Sequence, residues 1–284
     1  MVYDWGQGGI MLQITTLIDN TSKRGSDLLA EHGFSCLIER NGEKILFDTG
    51  ASRAFIENAH RLGRDLSRLD HLILSHRHWD HGGGVIPLLE EYTYPSLRLW
   101  SGQGYEDEKF SLEGESLRPN GVTFNREIIN RHKVMWHTVC SNTVMISRGV
   151  WLITAFERRN PIEENNPRFR LKDGSIDPFD DEVALIVNSS QGLVLIVGCS
   201  HPGILNIIDA TLERFGRPIY ALLGGIHLSD TNQERRNTVL ECLLTYPIEK
   251  IGVCHCTGGE AIEMIKKRAE GSFDNCSGAT LTIV

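Results

Sequence analysis

The sequence predicts an α/β fold, and three patterns support that prediction. Short apolar runs typical of buried strands alternate with amphipathic helical segments over residues 183–284. Two apolar runs near the amino-terminal end flank a turn dipeptide, as in a β-hairpin. A short apolar run at 71–75 is typical of a buried strand. One large domain or two small ones would fit 284 residues, and we predict a single domain over 1–284.

In the first half of the chain, the hairpin is predicted at 34–47, where Asn41-Gly42 separates the two apolar runs. Residues 51–63 have apolar side chains at helical spacing and end in a glycine, so they predict a helix. The predicted strand at 71–75 is followed by a second predicted helix within 83–92.

The second half contains the alternation that indicates layered strands and helices. Glycines end several of these segments, which is typical of helix stops and tight connections. Strands are predicted at 150–156, 183–189, 193–200, 219–227, 251–255 and 279–284, and helices at 203–216, 233–246 and 259–270.

Two stretches have no clear periodicity, namely 101–133 and 157–182. Loops of that length inside compact domains are usually lids, binding loops or disordered segments. We therefore predict two inserted loop segments near a functional site.

The composition limits the classes of partner. A net charge of −8 disfavours nucleic-acid binding, which usually needs a basic face. No apolar run approaches the roughly 20 residues that cross a bilayer, so no membrane association is expected. The seven cysteines are scattered, as in a reducing cytoplasm, and we expect a cytoplasmic protein with mostly buried thiols. The sequence leaves a homo-oligomer open.

The stretch LSHRHWDHGGG, residues 74–84, concentrates metal-ligand side chains directly after the predicted strand at 71–75. His76 and His78 supply two imidazoles for one metal ion, and Asp80 and His81 supply a carboxylate and an imidazole for a neighbouring ion. Imidazole with carboxylate suits zinc, manganese or iron better than calcium or magnesium. The three glycines allow a tight turn, so that the next helix packs close to the metals.

Three further histidines follow predicted strands in the second half: His201, His227 and His255. Sites collect at strand ends in α/β proteins, because loops there can be shaped without disturbing the core. We therefore expect these histidines to lie on the same rim as His76.

At these residues the sequence resembles a known family. SHRHWDHGGG is similar to the H-x-H-x-D-H motif of the metallo-β-lactamase fold superfamily, and ILFDTG, residues 45–50, is similar to its first motif. The stretches EHGFS, GCSHPGILNII, GGIHL and HCTG resemble the branch of dihydropterin-ribofuranosylaminobenzene 5′-phosphate synthase-like hydrolases. The resemblance implies a four-layer αββα sandwich. It also implies two divalent metal ions, with zinc expected first and manganese or iron as alternatives.

The resemblance also implies roles for individual residues. The first ion would be held by His76, His78 and His201, and the second by Asp80, His81 and His255. Asp48 would buttress the metal loop without binding metal. His227 would lie beside the metals or face the substrate. Arg159, in TAFERR, partly matches a substrate-binding stretch of the branch.

The chain departs from the superfamily pattern where a metal-bridging aspartate is expected. The glycine at 198 is followed by Cys199, and the stretch DPFDDEVALIV contains no histidine. Asp180 or Asp181 could stand in for the missing carboxylate. Cys199 could be a ligand, since thiolate binds zinc well, and the interpretation we favour is a buried structural thiol.

These observations lead to a functional hypothesis. We expect a metal-dependent hydrolase that attacks a small anionic ester or phosphodiester, phosphorylated compounds included, through a metal-bound hydroxide. Asp80 is expected to be the catalytic residue that orients the hydroxide and moves a proton. The anionic substrate is suggested by the arginines at 158, 159, 168 and 170, which could instead pair with acidic residues on a solvated loop. The alternatives are a dihydropterin-linked synthase in pterin or folate-like metabolism and a non-catalytic metal- or ligand-binding regulator.

Overall fold

The computed structural model describes residues 11–284 and contains three β-sheets and seven α-helices in that range. The strands are β1 (Leu12–Ile18), β2 (Ser35–Arg40), β3 (Glu43–Phe47), β4 (His71–Ile73), β5 (Arg98–Gly102), β6 (Lys109–Glu113), β7 (Ser116–Pro119), β8 (Met135–Val139), β9 (Thr143–Ser147), β10 (Val150–Ile153), β11 (Phe169–Leu171), β12 (Ala184–Asn188), β13 (Leu193–Val197), β14 (Ile219–Gly224), β15 (Lys250–Val253) and β16 (Thr280–Ile283). The helices are α1 (Ala54–Arg61), α2 (Trp79–Gly82), α3 (Val85–Glu91), α4 (Arg126–Arg131), α5 (Ile204–Phe215), α6 (Gln233–Leu243) and α7 (Gly259–Arg268).

Two large sheets form the centre of the molecule. The first sheet has the strand order β16-β1-β2-β3-β4-β5-β8, and the second has the order β15-β14-β13-β12-β10-β9. The strands β3, β4, β5 and β8 run parallel, as do β13, β14 and β15. The carboxyl ends of each parallel set therefore meet at one edge of their sheet, where a site can be built from several loops.

The layers are visible in three apolar clusters. One lies between the sheets and includes Ile38 and Phe47 of the first sheet with Leu185 and Val194 of the second. A second packs α1, α3 and α4 on the outer face of the first sheet, and a third packs α5, α6 and α7 on the outer face of the second. The result is a four-layer αββα sandwich, which confirms the predicted fold class.

Local sequence explains several boundaries. Asn41 and Gly42 both adopt positive φ, 48° and 82°, which matches the two-residue turn that antiparallel hairpins prefer. β2 and β3 pair across this turn, so the predicted hairpin is confirmed. α5 ends at Gly216, which has φ 60° and bonds back to Leu212. This left-handed stop is favoured by glycine, because a Cβ would be strained there.

The two stretches without periodicity contain a small third sheet. β6 and β7 form a hairpin within 101–133, and β11 of 157–182 pairs with β6. Lys109, at the start of β6, is buried and forms ion pairs with Asp177 and Asp181. An isolated bridge joins His78 to Gly121, so the segment after β7 lies against the ligand-rich loop.

No α-helix within residues 11–284 is long and apolar enough to span a bilayer.

Candidate metal centre

The ligand-type side chains meet where strands of both large sheets end. His76 and His78 follow β4, and Asp80 and His81 lie in the short helix α2. His201 follows β13 and His255 follows β15; each of the six side chains is buried. The chain is strained at this rim, because Asp48, Ser200, His227 and His255 all adopt positive φ. Such backbone strain is concentrated at functional sites, where the surrounding structure holds it in place.

The first group consists of His76, His78 and His201. His76 Nε2 lies 3.1 Å from His78 Nδ1, and each residue offers a ligand nitrogen within 4.8 Å of the other two. His201 Nε2 is buried and has no hydrogen-bond partner within residues 11–284. An unpaired buried nitrogen is costly unless something binds it, so this atom favours a ligand role.

The second group consists of Asp80, His81 and His255. His255 Nε2 lies 3.2 Å from Asp80 Oδ2 and 3.2 Å from His81 Nε2. The third separation, from His81 Nε2 to Asp80 Oδ2, is 3.7 Å. Ligand atoms on one tetrahedral zinc ion lie about 3.3–3.6 Å apart, given its bond lengths, so the three separations are each within about 0.1 Å of that spacing.

Hydrogen bonds on the outer side of the rings orient these histidines. His81 Nδ1 donates to Asp48 Oδ2 at 2.7 Å, and His255 Nδ1 lies 2.8 Å from Asn20 Oδ1. Asp48 is itself fixed by Ser75, whose backbone N–H and hydroxyl donate to its two oxygens at 2.7 Å each. Such outer partners set the tautomer and the ring direction, so Nε2 faces the centre. Asp48 thus occupies a buttressing position.

The electrostatics differ between the two groups. Burial is the main cause that lowers the pKa of His78 to about 3, and it keeps the pKa values of His76 and His201 well below the ordinary range. These imidazoles are therefore neutral, which is the form that binds metal. Burial also opposes charge on His81, but Asp48 and Asp80 outweigh it and raise the pKa of His81 to about 9.

The donor set fits a pair of divalent ions. Five imidazoles and one carboxylate converge from both sheets, and nitrogen with carboxylate oxygen suits zinc, manganese or iron. The outer partners at His81 and His255 are those that metal-binding histidines need.

The suggested substitutes for a bridging carboxylate lie elsewhere. Asp181 binds Lys109 Nζ at 2.9 Å and accepts the backbone N–H of Arg77 at 2.9 Å. Asp180 is exposed. Neither belongs to a metal-ligand group among the described residues, whereas Cys199 belongs to two.

A cleft of about 190 Å³ opens above the two groups. His227 lines it, with its ring centroid 4.5 Å from that of His201 and its Nδ1 3.2 Å from Asp230 Oδ1. Arg159 does not line this cleft. It lies in a separate surface pocket beside Asn206 and forms ion pairs with Glu157 and Glu213.

Several residues of the site were not identified from the sequence. His32 Nε2 lies 3.2 Å from Asp80 Oδ2, and Phe179 stacks on His201 with centroids 3.8 Å apart. Glu182 Oε2 is buried, 3.9 Å from His76 Nδ1, and burial raises the pKa of Glu182 to about 8. Arg168 and Cys256 line the cleft. His32 and Cys256 carried a signal, since they lie within EHGFS and HCTG, and Arg168 was among the four arginines that suggested an anionic substrate.

Comparison with known proteins gives one family match. The model of the family described as the metallo-beta-lactamase superfamily matches residues 29–205.

Two curated relatives from Methanocaldococcus jannaschii cover nearly the whole chain. One is named 7,8-dihydropterin-6-methyl-4-(beta-D-ribofuranosyl)-aminobenzene-5′-phosphate synthase; it is 28% identical over 276 residues, which is 93% of each chain. The other, described as uncharacterized, is 25% identical over 259 residues, covering 89% of this chain and 94% of its own.

Solved structures agree with the fold. Tm1679, described as a metal-dependent hydrolase of the beta-lactamase superfamily, aligns with a TM-score of 0.81 and 31% identity over 95% of this chain and 98% of its own. A diphosphatase from the PhnP family aligns with a TM-score of 0.58 and 14% identity over 96% and 98% of the two chains, which supports the fold alone.

Proposed function

Because this chain belongs to the metallo-β-lactamase superfamily, we propose that it is a metal-dependent hydrolase of a small anionic ester or phosphodiester. The observation that supports this most is the convergence of two ligand groups beneath an open cleft. Each group takes two ligands from the first sheet and one from the second.

The two groups would each hold one divalent ion, with zinc the expected metal. Such ions supply Lewis acidity and an activated water. His76, His78 and His201 would bind one ion, and Asp80, His81 and His255 the other.

Asp80 is the residue proposed to orient the attacking water and accept its proton. Its Oδ2 lies between His255 and His32, 3.2 Å from each Nε2. The His32 side chain is 56% exposed, so it connects this carboxylate with solvent. A proton taken by Asp80 would leave the buried centre through His32.

The cleft supports a small substrate with negative charge. The cleft has a volume of about 190 Å³ beside His78, Asp80 and His255, and it opens to solvent, where the rest of a substrate could extend. Arg168 at its edge is exposed and forms no ion pair within residues 11–284. An unpaired guanidinium suits a phosphate or carboxylate. Trp79, 42% exposed, and Phe169 provide apolar contacts at the same mouth.

A second candidate function is a dihydropterin-linked synthase. The curated relative with that name, which is alignable over 93% of both chains, favours it. The same cleft would then hold a phosphorylated aromatic substrate, and Arg168 would bind its phosphate. In either case we propose a cytoplasmic protein with a small-molecule partner and no nucleic-acid partner.

The test combines metal analysis with an activity screen. We expect purified protein to bind two ions per chain and to hydrolyse at least one compound among phosphodiesters, phosphomonoesters and lactones. His76→Ala and His78→Ala should lose metal and activity, whereas His60→Ala, on the exposed end of α1, should keep both. Full activity of either site variant after chelation and dialysis would refute the hydrolase. Stable metal without turnover would favour the regulator, and product formation only from a dihydropterin and a phosphorylated aminobenzene riboside would favour the synthase.

A further inference from the structure

Two buried thiols lie inside the candidate metal centre. Cys199 follows Gly198 at the end of β13, and Cys256 follows His255 in the turn after β15. Both side chains line the cleft and are almost fully buried, with 3% and 6% exposure. A buried thiol is ordinarily a small apolar side chain, but these two face metal-ligand nitrogens.

The sulfur of Cys199 lies between the two ligand groups. It is 3.1 Å from His81 Nε2, and the ligand atoms of His76, His81 and Cys199 all lie within 4.8 Å of one another. Cys199 also forms a group with His255 under the same limit. The sulfur is therefore near His76, a ligand of the first ion, and near His81 and His255, the two histidines of the second ion.

These separations are near those of a shared metal ligand, and the 3.1 Å between Cys199 Sγ and His81 Nε2 would have to lengthen by about 0.5 Å on one tetrahedral ion. Zinc binds thiolate sulfur at about 2.3 Å and imidazole nitrogen at about 2.0–2.1 Å, so a sulfur and a nitrogen on one tetrahedral ion lie about 3.6 Å apart. The backbone supports this position, since Ser200 adopts φ 59° and its N–H donates to Glu182. A side chain at Gly198 would collide with Ser75 and Asp48, so this turn is packed against the buttress of the metal loop.

Cys256 has a different role. Its thiol donates a weak hydrogen bond to the backbone carbonyl of Cys199 at 3.8 Å. Among the described residues, Cys256 belongs to one ligand-type group only, with Cys199 and His255, so it does not link the two ions as Cys199 does. Cys256 therefore fixes the turn that presents Cys199, and Gly225 leaves the space that its sulfur needs.

We propose that the Cys199 thiolate bridges the two ions, in the position where the sequence lacks a carboxylate. The S–H bond breaks as sulfur binds the ions, the proton passes to water, and no oxidant or reductant is needed. Each ion then has four protein ligands, three from its own group and the shared sulfur, and the activated water of the proposed function would bind as a fifth ligand. This inference rests on the two-ion centre of the proposed function. Because thiolate is soft, the centre should select zinc or iron(II) over manganese.

Cobalt(II) provides a direct test, because thiolate bonded to cobalt gives a charge-transfer absorption band in the near ultraviolet. Metal-free protein loaded with two cobalt ions per chain should show this band. The band should disappear in Cys199→Ser and Cys199→Asp, and it should remain in Cys256→Ser and in Cys140→Ser, the exposed-thiol control. Cys199→Ser should also bind zinc at least about tenfold more weakly, while Cys199→Asp should bind manganese better than the natural chain does.

The outcomes separate the two proposals. Two bound cobalt ions without the band, or an unchanged band in Cys199→Ser, would overturn sulfur bridging and leave the hydrolase standing. If the band is present but no compound is hydrolysed, sulfur bridging stands and the hydrolase is overturned. If the protein binds no ion, both proposals are overturned. Should the Cys199 variants not fold, X-ray absorption of the zinc-loaded natural chain decides the matter. An average of one sulfur at about 2.3 Å per zinc ion supports the bridge, whereas half a sulfur per zinc ion, or a shell of only nitrogen and oxygen, refutes it.

Discussion

The Nδ1 atom of His81 lies 2.7 Å from Asp48 Oδ2, on the side of the ring away from the cleft. Both residues are fully buried, and the other ring nitrogen of His81 faces Asp80 and His255. Asp48 therefore fixes the direction from which His81 can bind an ion, although Asp48 itself belongs to neither ligand group.

Asp48→Asn should weaken metal binding without removing a ligand. The neutral asparagine amide cannot stabilise positive charge on the His81 ring as the Asp48 carboxylate does. It can also turn its NH2 group toward Nδ1, where it offers no acceptor. Loss of such an outer partner typically costs 10–100-fold in metal affinity. Competition with a chromogenic chelator measures the change, and Asp27→Asn, on an exposed loop, is the control. Equal zinc affinity in Asp48→Asn and the control would show that the buttress does not act on the metal.

Arg168→Gln should raise KM for anionic substrates and leave metal content unchanged. A charge-assisted hydrogen bond contributes about 1.5 kcal/mol or more, so the increase should be roughly tenfold. Arg159→Gln is a matched control, because Arg159 lies in the same segment and outside the cleft. Steady-state kinetics on the hydrolysed compound decide the point. A larger effect at Arg159 than at Arg168 would move the anion site to the other pocket.

Lys109→Met should destabilise the fold strongly. The Lys109 ammonium lies 2.8 Å from Asp177 and 2.9 Å from Asp181, and all three side chains are buried. Removing one partner of a buried ion pair costs about 3–5 kcal/mol, because charge is left uncompensated. Urea unfolding gives the value. Lys172→Met removes an exposed ion pair with Glu108 and should change the free energy of unfolding far less. Similar losses in both variants would contradict this account.

Glu163→Gln should alter the pH dependence of stability. Glu163 accepts backbone N–H bonds from Leu205 and Asn206 at the start of α5, and burial raises its pKa from 4.5 to about 7. The folded chain holds this proton more tightly than the unfolded chain does, so the natural protein loses stability as the pH rises from 4.5 to about 7.

The glutamine variant lacks that titration. Its stability relative to the natural chain should therefore increase from pH 5 to pH 8, by about 3 kcal/mol at most. Thermal unfolding across this range is the measurement, with the exposed Glu115→Gln as reference. A constant difference at all pH values would contradict the raised pKa.

The sequence allowed prediction of the parts of the fold that have strong local signals. The hairpin at Asn41-Gly42 and the helix ending at Gly216 depend on backbone conformations that few residues adopt, so their positions were predictable. The ligand-rich loop was equally clear, because strand, ligands and glycines are adjacent in sequence.

Other elements lacked such signals. β1 is buried on nearly all sides and shows no alternation, whereas β7 is exposed throughout and has no apolar pattern. From the sequence alone, Lys109 is expected at the surface. Only the tertiary structure shows the two carboxylates that pair with it. Arg159 and Arg168 are chemically the same, and only the tertiary structure separates them, because Arg168 lines the cleft and Arg159 pairs with Glu213 of α5 in another pocket. The proximity of Cys199 to both ligand groups likewise depends on turns that composition does not reveal.

Each ligand group takes two side chains from the loop after β4 and one from a strand end of the second sheet. A bound ion would thus cross-link the two large β-sheets. By mass action, an ion that binds only the folded chain adds about 4 kcal/mol when its free concentration is a thousandfold above Kd. The thermal unfolding temperature would then rise with the concentration of free metal. Protein depleted of metal would unfold at a lower temperature than protein saturated with metal.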